Sequence, residues 1–310
     1  MSLIFNALSS YPSRLKRKFY HMLKIKNIPY YLQLMRVERP IGSYLLLWPT
    51  LWGIWIATEG APTPGLLIIF MLGVFVMRSA GCVINDIADR DFDKHVERTK
   101  ERPLTSGKVS LKEATALLIL LVVIAAILAL FLSFKTILLA IPALLIALSY
   151  PFMKRFHSLP QAHLGVAFAF GIPMAFMEVQ GSVPMVAIWL MLANVLWTLI
   201  YDTQYAMSDR EDDKKINVKS SALLFEALLG KRDYYIIAGL QIVMVLILLG
   251  IALSLQLTPY FLLAVFITAG LFSYQITMIK DHDRQRCFEA FLHNNWVGLT
   301  LFLGLFLNYL

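Results

Sequence analysis

An all-α integral membrane bundle is the fold that this sequence predicts, on three observations. First, hydrophobic residues make up 58% of the 310-residue chain and charged residues only 15%, with a mean hydropathy of +0.67. A soluble domain carries about 25% charged residues, and a soluble fold of this composition would expose more apolar surface than water tolerates. Second, the apolar residues come in continuous runs rather than in alternation, which excludes a transmembrane β-barrel. Third, the remaining charge is confined to alternate connections between those runs. A cytosolic globular enzyme, a disordered chain and a disulfide-stapled secreted domain are thereby excluded. The two cysteines, Cys82 in an apolar run and Cys287 in a polar loop, imply no disulfide framework.

Residues 1–30 mix Arg14, Lys16, Arg17, Lys18, Lys24 and Lys26 with Phe5, Leu8, Phe19 and Leu23, and contain no clean apolar core. They are not a signal peptide. They read as a basic interfacial or disordered extension, ahead of a single transmembrane domain over 31–310. Nine apolar segments follow, at 41–58, 64–84, 113–133, 136–151, 162–178, 185–201, 234–253, 258–276 and 294–310. Pro49, Pro142 and Pro173 fall inside spans, where a bundle can satisfy the freed carbonyls.

Of the 28 lysines and arginines, 26 lie in the N-terminal arm or in the loops 85–112, 152–161, 202–233 and 277–293. The opposite connections hold only Lys135, and Arg78 sits inside the second span. Such asymmetry places the N-terminus and every polar loop in the cytoplasm. The net charge of +8 is therefore read as orientation charge, with no nucleic-acid partner. Of the 20 carboxylates, only Glu59 and Glu178 fall on the outer side.

The second span runs into Asn85-Asp86-Ile87-Ala88-Asp89-Arg90-Asp91-Phe92-Asp93. If the helix continues beyond the apolar core, Asp86, Asp89 and Asp93 line one face, with Asn85 beside Asp89 and Asp91 pointing elsewhere. The sixth span ends in Tyr201-Asp202-Thr203-Gln204-Tyr205 and continues to Asp213. There Asp202, Tyr205 and Asp209 repeat the spacing, 116 residues on, and Asp212 and Asp213 extend the face. The matching registers resemble an internal duplication, and such repeats often hold a site at their interface. Carboxylate oxygens suit Mg2+, which uses one or two carboxylates together with substrate phosphates. Two acidic rows therefore suit a Mg2+-bridged diphosphate.

Cations accompany the acids: Arg98 and Arg102 after the first row, Lys154 and Arg155 after Tyr150-Pro151, and Lys214, Lys215 and Lys219 after the second row. Guanidinium forks match phosphate oxygens. Arg36 and Arg39, before Pro40, could snorkel or hold a carboxylate substrate. Arg78 is an intramembrane arginine, functional by default, although snorkelling or pairing with Asp86 weighs equally. His163 and Asn194 read as satisfied helix–helix contacts. Trp48, Trp52 and Trp55 read as packing and belt residues.

Asn85-Asp86-x-x-Asp89-x-x-x-Asp93 and Asp202-x-x-Tyr205-Ala206-x-x-Asp209-x-x-x-Asp213 resemble the two aspartate-rich motifs of the UbiA-type intramembrane prenyltransferases. Leu47-Trp48-Pro49-Thr50-Leu51-Trp52, Tyr150-Pro151-Phe152-Met153-Lys154-Arg155, Leu159-Pro160-Gln161 and Asn294-Asn295-Trp296-Val297-Gly298 are similar to the bacterial branch that prenylates 4-hydroxybenzoate for ubiquinone synthesis. The similarity covers roughly residues 31–310. The chain departs from the pattern at Asp91, Asp212 and Asn217.

The resemblance implies nine helices around a central cavity opening to the cytoplasmic side of a bacterial inner membrane. It also implies Mg2+ dependence and transfer of a long isoprenoid chain, from a polyprenyl diphosphate to an aromatic ring. On this reading Asp86, Asp89, Asp93, Asp209 and Asp213 hold metal. Asn85, Arg98, Arg102, Lys154 and Arg155 meet the diphosphate, and Arg36 or Arg39 the acceptor's carboxylate. Tyr150 and Tyr205 steady an allylic cation, and Asp202 polarises the acceptor's phenol. The competing class is an ion-coupled transporter; the acids lie at one membrane face rather than at mid-span, which favours a phosphate site. Other aromatic acceptors remain within the enzyme class.

Overall fold

The computed structural model describes residues 23–94, 99–215 and 218–310, and every regular element among them is helical. The extension expected at the N-terminus lies largely outside the described residues. In chain order the helices are α1 (Ile28–Leu34), α2 (Ile41–Ala57), α3 (Pro64–Asp93), α4 (Leu111–Ala129), α5 (Phe134–Met153) and α6 (Pro160–Ala169), followed by α7 (Gly171–Gln180), α8 (Met185–Lys215), α9 (Ser221–Leu229), α10 (Tyr234–Ser254), α11 (Pro259–Ile279) and α12 (Arg284–Asn308). The ends follow local chemistry. Pro64, Pro160 and Pro259 open helices, where a missing N–H costs nothing. The side chains of Ser133, Ser220 and Asp283 cap α5, α9 and α12 by accepting from Thr136, Leu223 and Arg286 N–H groups.

Among the described residues, eight helical segments are long and apolar enough to cross a membrane, α6 and α7 together making one of them. The chain is thus a multi-pass membrane protein. The remaining apolar helix, α2, has 17 residues. It is cut short by Pro40 at its start and by Glu59, whose φ of 51° reverses the chain at its end. The span expected over 162–178 is broken at Phe170, because Pro173 has no N–H to donate to Ala169 one turn earlier.

Contacts divide the chain into two units, Met1–Arg39 with Val76–Ala125, and Pro40–Phe75 with Ala126–Leu310. In the first, Tyr31, Leu34, Ala80, Val83, Leu104, Val109, Ala114 and Leu117 form the core. Ser110-Leu111-Lys112-Glu113 is a capping box at the start of α4: the Glu113 carboxylate accepts from the Ser110 N–H (3.0 Å) and hydroxyl (2.7 Å). Its other oxygen accepts from Asn27 Nδ2 (2.7 Å) and the Tyr31 hydroxyl (2.9 Å), which ties α1 to α4. Burial, with Glu113 beside it, pushes the Tyr31 phenol above the usual tyrosine range.

In the second unit α8 packs against α6, α7, α9, α10 and α12. Trp52, Trp197 and Tyr201 pack at its centre, with ring centroids 5.2 and 5.3 Å apart, the first pair tilted and the second edge-on. Gly298 is required there: a Cβ would stand 2.3 Å from Trp48 and 2.8 Å from Trp197. A buried chain of amides crosses four helices. Trp197 Nε1 donates to Asn294 (3.0 Å), Asn294 to Gln204 (2.7 Å), and Gln204 and Gln241 both donate to Gln275 (3.1 and 3.3 Å). His163 meets Ser149 at 3.0 Å, a helix–helix contact of the kind expected. Asn194 differs: its buried amide has no hydrogen-bond partner among the described residues.

Candidate active site

The first acidic row exists because α3 stays helical past its apolar run as far as Asp93. Asp86, Asp89 and Asp93 are only 2%, 4% and 6% exposed, whereas Asp91 points outward to Lys94. Three carboxylates on one buried face repel one another unless cations stand beside them. Two arginines do. Arg36 Nη2 donates to both Asp86 oxygens, at 2.9 and 3.1 Å. Arg102 Nη1 bridges Asp86 (3.1 Å) and Asp93 (2.8 Å).

Each arginine is delivered by a local device. Arg36 lies just beyond the end of α1 with φ of 57°, and its Nη1 donates to the carbonyl of Gln33 at 2.7 Å. A non-glycine residue in this left-handed region is uncommon. Arg102 follows Thr99, whose hydroxyl donates to the Asp93 carbonyl (3.0 Å) at the C-terminal end of α3. Asn85 is half-buried beside the row and Arg39 is exposed. Arg98 lies outside the described residues. Arg78, weighed for pairing with Asp86, instead donates to Cys82 Sγ at 2.7 Å. Both partners of Asp86 were named from the sequence, but as ligands for substrate; their contact with the acid was not foreseen.

The second row lies on α8, which also continues past its apolar run, to Lys215. Thr203, Gln204, Ala206, Met207 and Arg210 form its buried face. Asp202, Tyr205, Asp209, Asp212 and Asp213, all half-buried, fall on the opposite face. The Tyr205 ring packs on Phe291 at 5.0 Å and Phe288 at 6.0 Å. The segment after this row lies on the loop that carries Lys154 and Arg155. The Lys219 N–H donates to the Lys154 carbonyl (3.1 Å), Lys219 Nζ to the Phe156 carbonyl (3.0 Å), and the Ser221 N–H to Gln161 (3.0 Å). Tyr150 and Lys154 are half-buried; Arg155 is exposed, with its guanidinium 5.6 Å from the Phe152 ring centre.

Sequence reasoning passed over four residues here. Arg284 donates to Asp212 (2.9 Å) and stands 3.7 Å from Asp209. Arg210 turns its guanidinium away from the acids to pair with the buried Asp233, which also accepts from His282 Nε2 at 2.7 Å. A charge count assigns these cations to membrane orientation, and nothing local in the sequence pairs Arg284 with Asp212, or Arg210 and His282 with Asp233.

Among the described residues, no three acidic, histidine or cysteine side chains converge as a ready-made metal cluster. The donor sets are nonetheless of one chemical kind: hard carboxylate oxygens on single helix faces, with guanidinia adjacent. That is the composition for a divalent cation carrying a phosphate-bearing ligand.

Comparison with known proteins agrees with this chemistry. Residues 46–303 match the UbiA prenyltransferase family. The chain belongs to that family. Proteins called 4-hydroxybenzoate octaprenyltransferase are similar to it over most of their length. One from Aromatoleum aromaticum is 49% identical, covering 91% of this chain and 95% of the relative. One from Escherichia fergusonii is 53% identical, covering 89% and 94%. The fold is similar to that of the UbiA homolog from Aeropyrum pernix K1 in its apo form, with a TM-score of 0.74, 28% identity, and coverage of 86% of this chain and 98% of that one. A UbiA homolog from Archaeoglobus fulgidus, solved bound to GPP and Mg2+, shares the fold at a TM-score of 0.63 and 17% identity, covering 89% and 99%.

Proposed function

We propose that this protein transfers an octaprenyl group from octaprenyl diphosphate to the ring carbon ortho to the hydroxyl of 4-hydroxybenzoate, in ubiquinone biosynthesis. The observation that carries the reading is the pair of carboxylate rows at helix ends in a chain about half identical, over nine-tenths of its length, to proteins of that name. The reaction runs at the cytoplasmic face of a bacterial inner membrane, in a nine-helix bundle whose ninth span is α2 and whose central cavity opens to that face.

Asp86, Asp89 and Asp93 would hold one Mg2+, and Asp209 and Asp213 a second. Bound Mg2+ supplies positive charge that offsets the charge developing on the leaving diphosphate. The protein's own groups do the rest. Asn85, Arg98, Arg102, Lys154 and Arg155 bind the remaining phosphate oxygens. Apolar walls accept the isoprenoid tail and keep water from the allylic cation. The ring faces of Tyr150 and Tyr205 stabilise that cation, and the packing of Tyr205 on Phe288 and Phe291 limits its rotation. Arg36 or Arg39 pairs with the acceptor's carboxylate. Because Arg36 also grips Asp86, a carboxylate bound to it would join the acceptor to the first row. Asp202 polarises the phenol or accepts its proton and so raises electron density at the ortho carbon; that carbon bonds to the allylic carbon as the C–O bond to the diphosphate breaks, and the ring proton is then lost to restore the aromatic ring.

The test is radiolabelled 4-hydroxybenzoate with octaprenyl diphosphate in membranes supplied with Mg2+. The expected product is lipid-soluble label, abolished by chelation. Full turnover by an Asp86→Ala or Asp209→Ala variant would overturn the metal assignment, and label incorporated only from a different aromatic acid would overturn the acceptor.

A further inference from the structure

Arg210 sits inside the second acidic row, between Asp209 and Asp212, yet takes no part in it. Its guanidinium is buried and pairs with Asp233, itself 1% exposed, at the junction before α10; Glu226 lies 3.9 Å away. Asp233 has a second partner. His282 Nε2 stands 2.7 Å from its other oxygen, and because an ionised carboxylate can only accept, Nε2 carries the hydrogen. His282 adopts φ of 58° in the turn between α11 and α12, a backbone that non-glycine residues hold only where contacts favour it. Two residues further on, Asp283 having capped α12, Arg284 reaches Asp212 and Asp209. One buried carboxylate thus grips the row's own helix on one side and, on the other, the turn that sets a cation over that row.

We infer that Asp233 is a positioning residue for the second acidic row: through Arg210 it fixes the roll of α8, and through His282 it fixes the turn that presents Arg284. Rotation matters because the acids and the buried face share one helix. A helix turns 100° per residue, so a small roll of α8 carries Asp209 and Asp213 away from their ligand without unfolding anything. Arg210 prevents that roll on one flank, and Gln204, held by Asn294 and Gln275, prevents it six residues earlier. Asp233 touches no substrate; it acts through the residues it holds. The inference rests on the reading of this row as metal- and diphosphate-binding.

The experiment is Mn2+ titration of the purified full-length protein, read by electron paramagnetic resonance, beside the thermal midpoint and the KM for polyprenyl diphosphate. Asp209→Ala tests the underlying reading, and unchanged Mn2+ binding in that variant would end both. If Asp209→Ala weakens binding, Asp233→Asn is expected to raise the half-saturating Mn2+ concentration about tenfold, as loss of a group that orients ligands does. KM should rise with it, and Asp233→Glu should restore part of both. His282→Gly removes the imidazole but keeps a backbone suited to the turn. It is expected to give a shift in the same direction, about threefold, at a nearly unchanged thermal midpoint. A merely structural pair would lower the midpoint and leave Mn2+ affinity and KM of the folded fraction alone. That result, in Asp233→Asn or, should it not fold, in His282→Gly and Arg210→Lys, would overturn the inference.

Discussion

The two acidic rows share a spacing and differ in how their charge is neutralised. In the first, the acids are buried and two arginines from outside α3 bind them directly, Arg102 spanning Asp86 and Asp93. In the second, the acids are half-buried, Asp212 pairs with the exposed Arg284 and with Lys215 at 3.6 Å, Asp209 lies 3.7 Å from Arg284, and the helix's own arginine pairs with Asp233. Similar motifs therefore do different mechanical work. The first row is part of its unit's core and holds that core together through its ion pairs. The second is a half-buried edge whose geometry is set from behind, by Arg210 and the amide chain through Gln204. A buried carboxylate without a counter-charge is costly, whereas an exposed one is hydrated; depth accounts for the difference.

The largest expected effect separates catalysis from stability. Asp86→Ala and Asp209→Ala should each cut transfer of labelled 4-hydroxybenzoate by about a hundredfold or more. Only Asp86→Ala should also lower the thermal midpoint, because it leaves Arg36 without its carboxylate and Arg102 with Asp93 alone. Equal midpoints for the two variants would break the comparison. Next, Glu113→Gln should lose about 1–3 kcal/mol through the α4 capping box and the Tyr31 and Asn27 hydrogen bonds. Since α1 delivers Arg36, it should disturb the first row alone, seen as reduced denaturant stability with the second row's Mn2+ affinity intact. Asn294→Ala, behind the second row, should cost about 0.6–2 kcal/mol, the range for polar contacts between membrane helices. Its readout is a fall in thermal midpoint with a raised KM for diphosphate. The smallest effect belongs to Arg284→Ala. An exposed ion pair contributes about 1 kcal/mol or less, so the midpoint should stay put while diphosphate KM rises modestly and more visibly at low salt.

Much of this molecule is legible one residue at a time. The helical continuation of α3 through Asp93 and of α8 through Lys215 follows from residue spacing, and the structure has both. Less legible are the short α2, which looks like a full span by hydropathy alone, and the break at Phe170, because a proline inside an apolar run is compatible with an unbroken span in a bundle. Asn194 was expected to find a partner and has none among the described residues.

Hydropathy, charge asymmetry and helical period are properties of neighbouring residues, so they were sufficient to specify a membrane bundle with carboxylates aligned at two helix ends. Pairing is not a local property. Arg36 and Asp86 are 50 positions apart, His282 and Asp233 49, and Trp197 and Asn294 97. A charge count cannot tell an arginine that meets substrate from one that holds an aspartate still. Folding makes that distinction, because it sets which opposite charges leave water together.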